Sequence, residues 1–157
     1  DLESGRPNLG RFISVEVYRL MHYSLKRVIA DRYGEQEMKK ILYDSGKVAG
    51  VSFFKAMLSR ELDVSVLISK LHSMLLDLKV GVLKVEKMDL DSLNFVLTFS
   101  EDIDCSGLPV TGDTVCDFDE GFIDGIFSEY FLKEMVVKEI DCWSTGDRTC
   151  RFRISPK

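Results

Sequence analysis

Apolar residues recur at helical spacing through the first half of the chain. The first such pattern covers residues 15–33 and stops at Gly34, and the second covers residues 35–58. The third covers residues 64–79 and follows Asp63, a residue type that caps helix N-termini well. Three successive amphipathic helices are therefore predicted.

After Gly81 the apolar period changes from helical spacing to two. Residues 82–88 and 93–99 flank the turn sequence Asp-Leu-Asp-Ser, which predicts an antiparallel hairpin. Residues 134–143 and 149–155 flank Ser-Thr-Gly-Asp-Arg and predict a second hairpin.

Between the hairpins, aromatic and aliphatic residues recur every four positions and predict a fourth helix over residues 118–132. Residues 101–115 follow neither period, and a connection of that length is usually a lid, a binding loop or disorder. The element order predicts an α+β fold, with N-terminal helices packed on an antiparallel four-stranded sheet built from two hairpins with an intervening helix. A length of 157 residues with 45% apolar composition is expected to form one domain, residues 1–157.

The charge balance narrows the range of partners. With a net charge of -5 and a pI near 5.1, the chain lacks the basic surface that a phosphate backbone requires, so no direct nucleic-acid binding is expected. No apolar run approaches the roughly 18 residues needed to cross a bilayer, and no secretory pattern opens the chain. We therefore expect a cytoplasmic protein without a membrane segment, where cysteines are more often metal ligands, catalytic groups or buried thiols than disulfides.

Four residues near the second hairpin are candidates for a metal site. Cys142 and Cys150 lie on either side of the predicted turn, roughly opposite one another. Zinc binds thiolates at about 2.3 Å, and a carboxylate can complete its coordination, so Cys116 and Glu139 are further candidates. Glu139 and Cys142 would point to opposite faces of an ideal strand unless a bulge intervenes. Spacing alone leaves a disulfide, buried thiols and a metal site open.

Three segments in this region resemble the 4-vinyl reductase domain. They are CDFDEGFIDG at 116–125, VKEIDC at 137–142 and GDRTCRF at 146–152. The resemblance is close over the C-terminal third and extends in organisation to the rest, including GKVAG at 46–50 ahead of a phenylalanine pair. The family includes sensory domains of activators that respond to aromatic compounds and stand-alone proteins linked to tetrapyrrole synthesis. Its fold is similar to that of vesicle-tethering TRAPP-type subunits.

This resemblance implies a cofactor and an assembly state. In the sensory members three cysteines and a glutamate hold zinc, and the matching positions are Cys116, Glu139, Cys142 and Cys150. Cys105 lies outside that set and is expected to be a free thiol. The sensory domains self-associate, which implies a homodimer through the N-terminal helix around Phe12, Val15 and Tyr18.

Aromatic residues cluster near two glycine pairs, and a pocket there would accept an apolar or aromatic small molecule of modest size. The alternative is that the glycines allow close helix packing, the aromatics fill the core and His72 is a structural imidazole. The predicted ligand residues are Phe53, Phe54, His72, Phe118, Gly121, Phe122, Gly125 and Tyr130.

These features favour a zinc-containing, small-molecule-binding domain with a sensory or regulatory role. The family name suggests an alternative, an enzyme or accessory protein in tetrapyrrole vinyl reduction, and the fold relationship suggests another, a structural tethering subunit. The sequence shows no Ser-His-Asp set, phosphate-binding glycine loop, HExxH motif or nicotinamide or flavin motif that would support catalysis.

Overall fold

The computed structural model describes residues 1–157, apart from the side chains of Leu2 and Glu3. The helices are α1 (Leu2–Gly5), α2 (Val15–Tyr33), α3 (Glu35–Met57), α4 (Val64–Asp77) and α5 (Asp117–Phe131). The strands are β1 (Val82–Asp89), β2 (Asn94–Ser100), β3 (Met135–Asp141) and β4 (Cys150–Pro156). The predicted α+β class and all four predicted helices are confirmed.

The two predicted hairpins join into one open sheet of order β1-β2-β4-β3, in which every neighbouring pair is antiparallel. Alternate residues of the central strands point to one face, where Phe95, Leu97 and Phe99 of β2 and Phe152 and Ile154 of β4 are buried. Helices α4 and α5 cover this face, with α4 against β1 and α5 against β3. The main core therefore lies between the sheet and these two helices.

Helices α3 and α5 cross at their glycine pairs. Gly46 and Gly50 of α3 face the α5 backbone, while Gly121 and Gly125 of α5 face the α3 backbone. A Cβ atom at any of these four positions would collide with a backbone carbonyl oxygen of the other helix. The structure thus supports the close-packing interpretation of the glycine pairs, because the space that the missing side chains leave is filled by helix backbone.

Helix α2 keeps its apolar face at the surface. Leu20 is 74% exposed and Met21 64% exposed, and Val17 and Leu25 on the same helix are also exposed. The helix is held to the rest of the molecule mainly by polar side chains that reach the connection between β2 and α5. In the part of the chain that the structure describes, no helix combines the length and hydropathy needed to cross a membrane.

Candidate functional site

The connection formed by residues 101–116 is fixed in place by α2. The Arg19 guanidinium donates to the carbonyl oxygens of Ile103 at 2.7 Å and Ser106 at 2.8 Å. The Tyr23 hydroxyl donates to the carbonyl oxygen of Asp104 at 2.9 Å. These bonds satisfy backbone groups that the connection cannot pair within itself. A segment without a sequence period therefore has a defined conformation, which carries two cysteines to the end of the sheet.

Four buried cysteines converge there. Cys105 and Cys116 come from the connection, and Cys142 and Cys150 come from the β3–β4 hairpin. All four thiols are free, and their Sγ atoms lie within 4.8 Å of one another. The Cys116 Sγ atom is 3.9 Å from that of Cys142 and 3.8 Å from that of Cys150. The Sγ atoms of Cys105 and Cys150 are 3.1 Å apart.

The local structure of the hairpin explains how Cys142 reaches this cluster. The pairing of β3 with β4 shifts register between Glu139 and Asp141, as a bulge does. A short 3-10 helix (Trp143–Thr145) follows, and the Thr145 hydroxyl accepts a hydrogen bond from the Cys142 N–H at 3.0 Å. The bulge removes the alternation that would otherwise point Glu139 and Cys142 to opposite faces.

Glu139 borders the cysteine cluster. Its Oε2 atom accepts a hydrogen bond from the Cys116 N–H at 3.1 Å, while its Oε1 atom is buried without a hydrogen-bond partner among the described residues. Burial is the first cause, and the nearby Cys142 the second, of a rise in the pKa of Glu139 to about 8. Hydrogen bonding within the cluster, led by Cys105, lowers the pKa of Cys142, so this sulfur is the one most readily ionised.

The donor set and its spacing fit a metal ion. A tetrahedral ion with metal–sulfur bonds of about 2.3 Å places its sulfurs about 3.8 Å apart, close to the distances from Cys116 to Cys142 and Cys150. Cys105, which lies outside the predicted metal set, supplies the fourth convergent sulfur atom. Glu139 is adjacent to the cluster through its bond to Cys116. The cluster could therefore hold a metal ion.

Asp102 links the cysteine cluster to a group of acidic side chains. Its Oδ2 atom is 3.5 Å from the sulfurs of Cys105, Cys116 and Cys150, each of which can donate to it as a thiol. Burial first, and then the neighbouring charge of Asp104, raises the pKa of Asp102 to about 6.

An apolar cavity with a volume of about 340 Å³ lies beside these acidic groups. It is bordered by α4, the start of α5, residues 80–104 and the polar face of α2. Its volume lies within the roughly 300–1,000 Å³ typical of small-molecule sites. The apolar residues that line it include Phe53, Leu75, Val80, Ile103, Phe118 and Phe122.

The C-terminal segment that carries the cysteine cluster matches a known family. Residues 95–156, which include three of the four cysteines, match the sequence profile of the 4-vinyl reductase domain. The predicted resemblance to this family is confirmed. The 4-vinyl reductase segment thus contains the whole sheet except β1, together with α5 and the connection between β2 and α5.

Two uncharacterized proteins of Methanocaldococcus jannaschii are similar to this chain in sequence. One is 27% identical over 117 residues, which cover 74% of this chain and 64% of the relative. The other is 25% identical over 146 residues, which cover 93% of this chain and 80% of the relative. The match thus spans less than two thirds of the first relative.

Three solved structures share the fold around the 4-vinyl reductase segment. The phenol-responsive sensory domain of the transcription activator PoxR, solved with phenol, has a TM-score of 0.69 and 15% identity, covering 93% of this chain and 76% of its own. A vinyl-4-reductase family protein of Methanocaldococcus jannaschii has a TM-score of 0.63 and 16% identity, covering 94% and 84%. A trafficking protein particle complex subunit 3 of Naegleria fowleri, covalently bound to palmitic acid, has a TM-score of 0.70 and 17% identity, covering 91% and 95%. The predicted fold relationship to vesicle-tethering subunits is confirmed.

Three of the predicted ligand residues, Phe53, Phe118 and Phe122, line the cavity. The first and last of them pack edge to face, with ring centroids 5.4 Å apart. Gly121 and Gly125 lie in the interface with α3 and contact its backbone. The glycine pairs therefore position the helix that bears the lining aromatics, and their own surfaces face another helix.

The remaining predicted ligand residues have structural partners. Phe54 is buried in the core and packs against Tyr130, whose hydroxyl donates to the Leu62 carbonyl oxygen at 2.7 Å. The Nδ1 atom of His72 lies 2.6 Å from the carbonyl oxygen of Leu83, which ties α4 to β1. For His72 the structure supports the structural interpretation.

Sequence reasoning misses the polar residues of the cavity. Tyr18, Asp104 and Asp119 all line it. The sequence predicts Tyr18 on a dimer surface, but its hydroxyl donates to the Asp104 Oδ1 atom at 2.5 Å. The one signal for these residues is the acidic run around Cys105, where Asp102 and Asp104 precede a cysteine in a segment without apolar period.

Proposed function

We propose that residues 1–157 form a single sensory or regulatory domain that binds an apolar or aromatic small molecule and carries a structural zinc ion. The observation that carries this proposal is the cavity of about 340 Å³ that shares residues 101–116 with the buried cysteine cluster. The fold similarity to a phenol-responsive sensory domain adds support, since that similarity extends over 93% of this chain.

Zinc is the metal best suited to four buried sulfurs, because soft thiolate ligands in a tetrahedral arrangement favour it. We assign Cys105, Cys116, Cys142 and Cys150 as the ligands. Glu139, which the family resemblance predicts as a ligand, then accepts the Cys116 N–H and is the alternative fourth ligand through its unpartnered Oε1 atom. A zinc ion with four protein ligands stabilises the fold and has no open position for substrate.

Ligand binding would be communicated through the connection between β2 and α5. Asp104 and Ile103 of this connection line the cavity, and Cys105 and Cys116 anchor it at the cysteine cluster. A ligand that binds better when this segment is closed over the cavity shifts the population toward the closed form. The changed surface of residues 101–115 and of the α2 residues that hold them would be read by a partner protein.

The exposed apolar face of α2 is proposed as the contact between two copies of this chain. Phe12 is 61% exposed and Val15 38% exposed, and they continue the exposed stripe that contains Leu20 and Met21. Contiguous apolar surface of this kind is typical of protein interfaces. Light scattering at micromolar concentration should show a dimer, and Leu20→Glu should convert it to a monomer. A wild-type monomer would contradict the assignment.

The proposed function is tested by metal analysis combined with ligand screening. Elemental analysis of protein purified from cells should give about one zinc ion per chain. A panel of aromatic and aliphatic compounds should contain members that raise the melting temperature, because binding to the folded state alone stabilises it. If zinc is bound but no compound in the panel stabilises the chain, the structural tethering alternative is favoured. A bound nicotinamide or flavin in purified protein would favour the vinyl-reduction alternative.

The acidic surface and the four free thiols are relevant to where the domain would act. Reduced cysteines persist in reducing compartments, so we expect action in the cytoplasm. The net charge of -5 disfavours direct contact with nucleic acid, and an effect on transcription would therefore require another protein or segment.

A further inference from the structure

The polar groups of the cavity are hydrogen-bond acceptors. Tyr18, Asp104 and Asp119 are the polar side chains among the residues that line it. Asp104 is 2% exposed and Asp119 is 8% exposed, so both carboxylates are largely removed from water. Burying a carboxylate costs free energy that hydrogen bonds or a cation must offset.

These carboxylates are only partly satisfied by the protein. The Asp104 Oδ1 atom accepts the Tyr18 hydroxyl, whereas the Oδ2 atoms of Asp104 and Asp119 have no hydrogen-bond partner among the described residues. Because Tyr18 uses its single proton on Asp104, its oxygen can only accept from a ligand. The cavity therefore presents acceptors on an apolar wall and calls for a ligand with several donors.

Cations of the protein near this end of α5 are engaged with other carboxylates. The Lys26 Nζ atom lies 3.5 Å from Asp117 Oδ2, and the Lys138 Nζ atom lies 2.9 Å from Glu120 Oε1. Lys26 also donates to the Val115 carbonyl oxygen at 3.0 Å. The negative charge at the cavity is thus left for a ligand to neutralise.

We infer that the cavity binds a primary amine with an apolar body, whose ammonium group donates to Asp104 and Asp119. This inference rests on the proposed ligand-binding function and specifies the class of its ligand. An ammonium group has three donors and no acceptor, which matches the two carboxylate oxygens and the oxygen of Tyr18. The rings of Phe53, Phe118 and Phe122 surround the space that the apolar body would occupy.

A shared feature of Asp119 requires a control in the experiment. Its carboxylate also lies within 4.8 Å of ligand atoms of Asp102 and Cys116, so it touches the surroundings of the cysteine cluster. Asp104 is outside that second group and faces the same cavity. Measuring the metal content of each variant separates an effect on the ligand from an effect on the metal.

The test compares three probes of nearly the same shape: 2-phenylethylamine, 2-phenylethanol and ethylbenzene. Each is titrated into metal-replete protein at neutral pH by calorimetry. The amine should bind at least about tenfold more tightly than the alcohol, because hydrogen bonds between charged groups are stronger than neutral ones. Asp104→Asn and Asp119→Asn should each weaken amine binding about tenfold with metal content unchanged, and the exposed Asp113→Asn should match the wild type.

The head-group series on the wild-type protein decides the inference even if a variant fails to fold or loses metal. Equal affinities for the three probes, or preference for the alcohol or the hydrocarbon, would overturn the amine assignment and leave the ligand-binding function standing. Amine binding that survives both asparagine substitutions would also overturn it. Failure of all three probes, together with failure of the wider panel, would reject the proposed function itself.

Discussion

On one side of α5, Gly121 and Gly125 meet the backbone of α3 so closely that a methyl group would not fit. On the other side, the side chains of Phe118, Asp119 and Phe122 border a cavity of about 340 Å³. The same helix thus has one surface packed to its limit and another that leaves space.

The difference lies in how completely packing explains each surface. At the glycine interface, the residue type follows from the close approach of two backbones. At the cavity, buried Asp104 and Asp119 each keep an oxygen without a partner, which lowers stability and gains nothing from packing. Groups of this kind are more informative about function than a glycine motif or an aromatic stripe.

The largest effect is expected at the cysteine cluster, at the N-terminal end of α5. Cys150→Ser should remove the metal ion and lower the free energy of unfolding by about 4 kcal/mol when free zinc is about 1,000 times its Kd, since metal binding is coupled to folding. Elemental analysis and denaturant unfolding check this, with the exposed Arg148→Ala as control. A metal-free wild-type chain with the stability of the variant would remove the metal from the account.

The next largest effect is expected at the tight side of α5. Gly121→Ala places a methyl group against the carbonyl oxygen of Tyr43, and should lower the free energy of unfolding by roughly 3 kcal/mol through overpacking. Gly5→Ala, where a Cβ atom meets no atom within 4 Å, is the matched control and should be nearly neutral. Equal stability of the two variants would mean that α3 and α5 are not in close contact.

A smaller effect is expected at the cavity side. Tyr18→Phe removes the donor to Asp104 and leaves both of its carboxylate oxygens unpartnered, so we expect a loss of about 1 to 2 kcal/mol by thermal unfolding. Tyr33→Phe changes a side chain on the same helix that is 64% exposed, and should have no measurable effect. A neutral Tyr18→Phe variant would show that α2 does not support the cavity wall.

The regular elements were predictable because burial imposes a period on them. The 3.6-residue spacing in α2 and the alternation in β2 fix element type without knowledge of the partner. Partner choice was not predictable in the same way. The spacing of Gly46 and Gly50 leaves open whether a ligand or a helix fills the space beside them, and only the position of α5 decides it.

The candidate site was predictable where its residues lie on regular elements or in a family motif. Cys142 and Cys150 flank a hairpin turn, and their convergence follows from strand pairing. Cys105 lies in a connection without a period, so its approach to Cys150 depends on the bonds from Arg19 and Tyr23 of a distant helix. Asp119 resembles an ordinary acidic residue of a helix first turn, and its burial depends on tertiary structure.

Hydrogen exchange in residues 101–115 tests most directly whether the cavity and the cysteine cluster form one responsive site. With 2-phenylethylamine bound to the metal-replete protein, amides of this connection and of the first turn of α5 should exchange more slowly, because the ligand stabilises the closed arrangement. Asp119→Asn should abolish that protection, while amides of the α3–α5 glycine interface should exchange equally in both states. Ligand binding without any change in exchange across residues 101–115 would contradict the account.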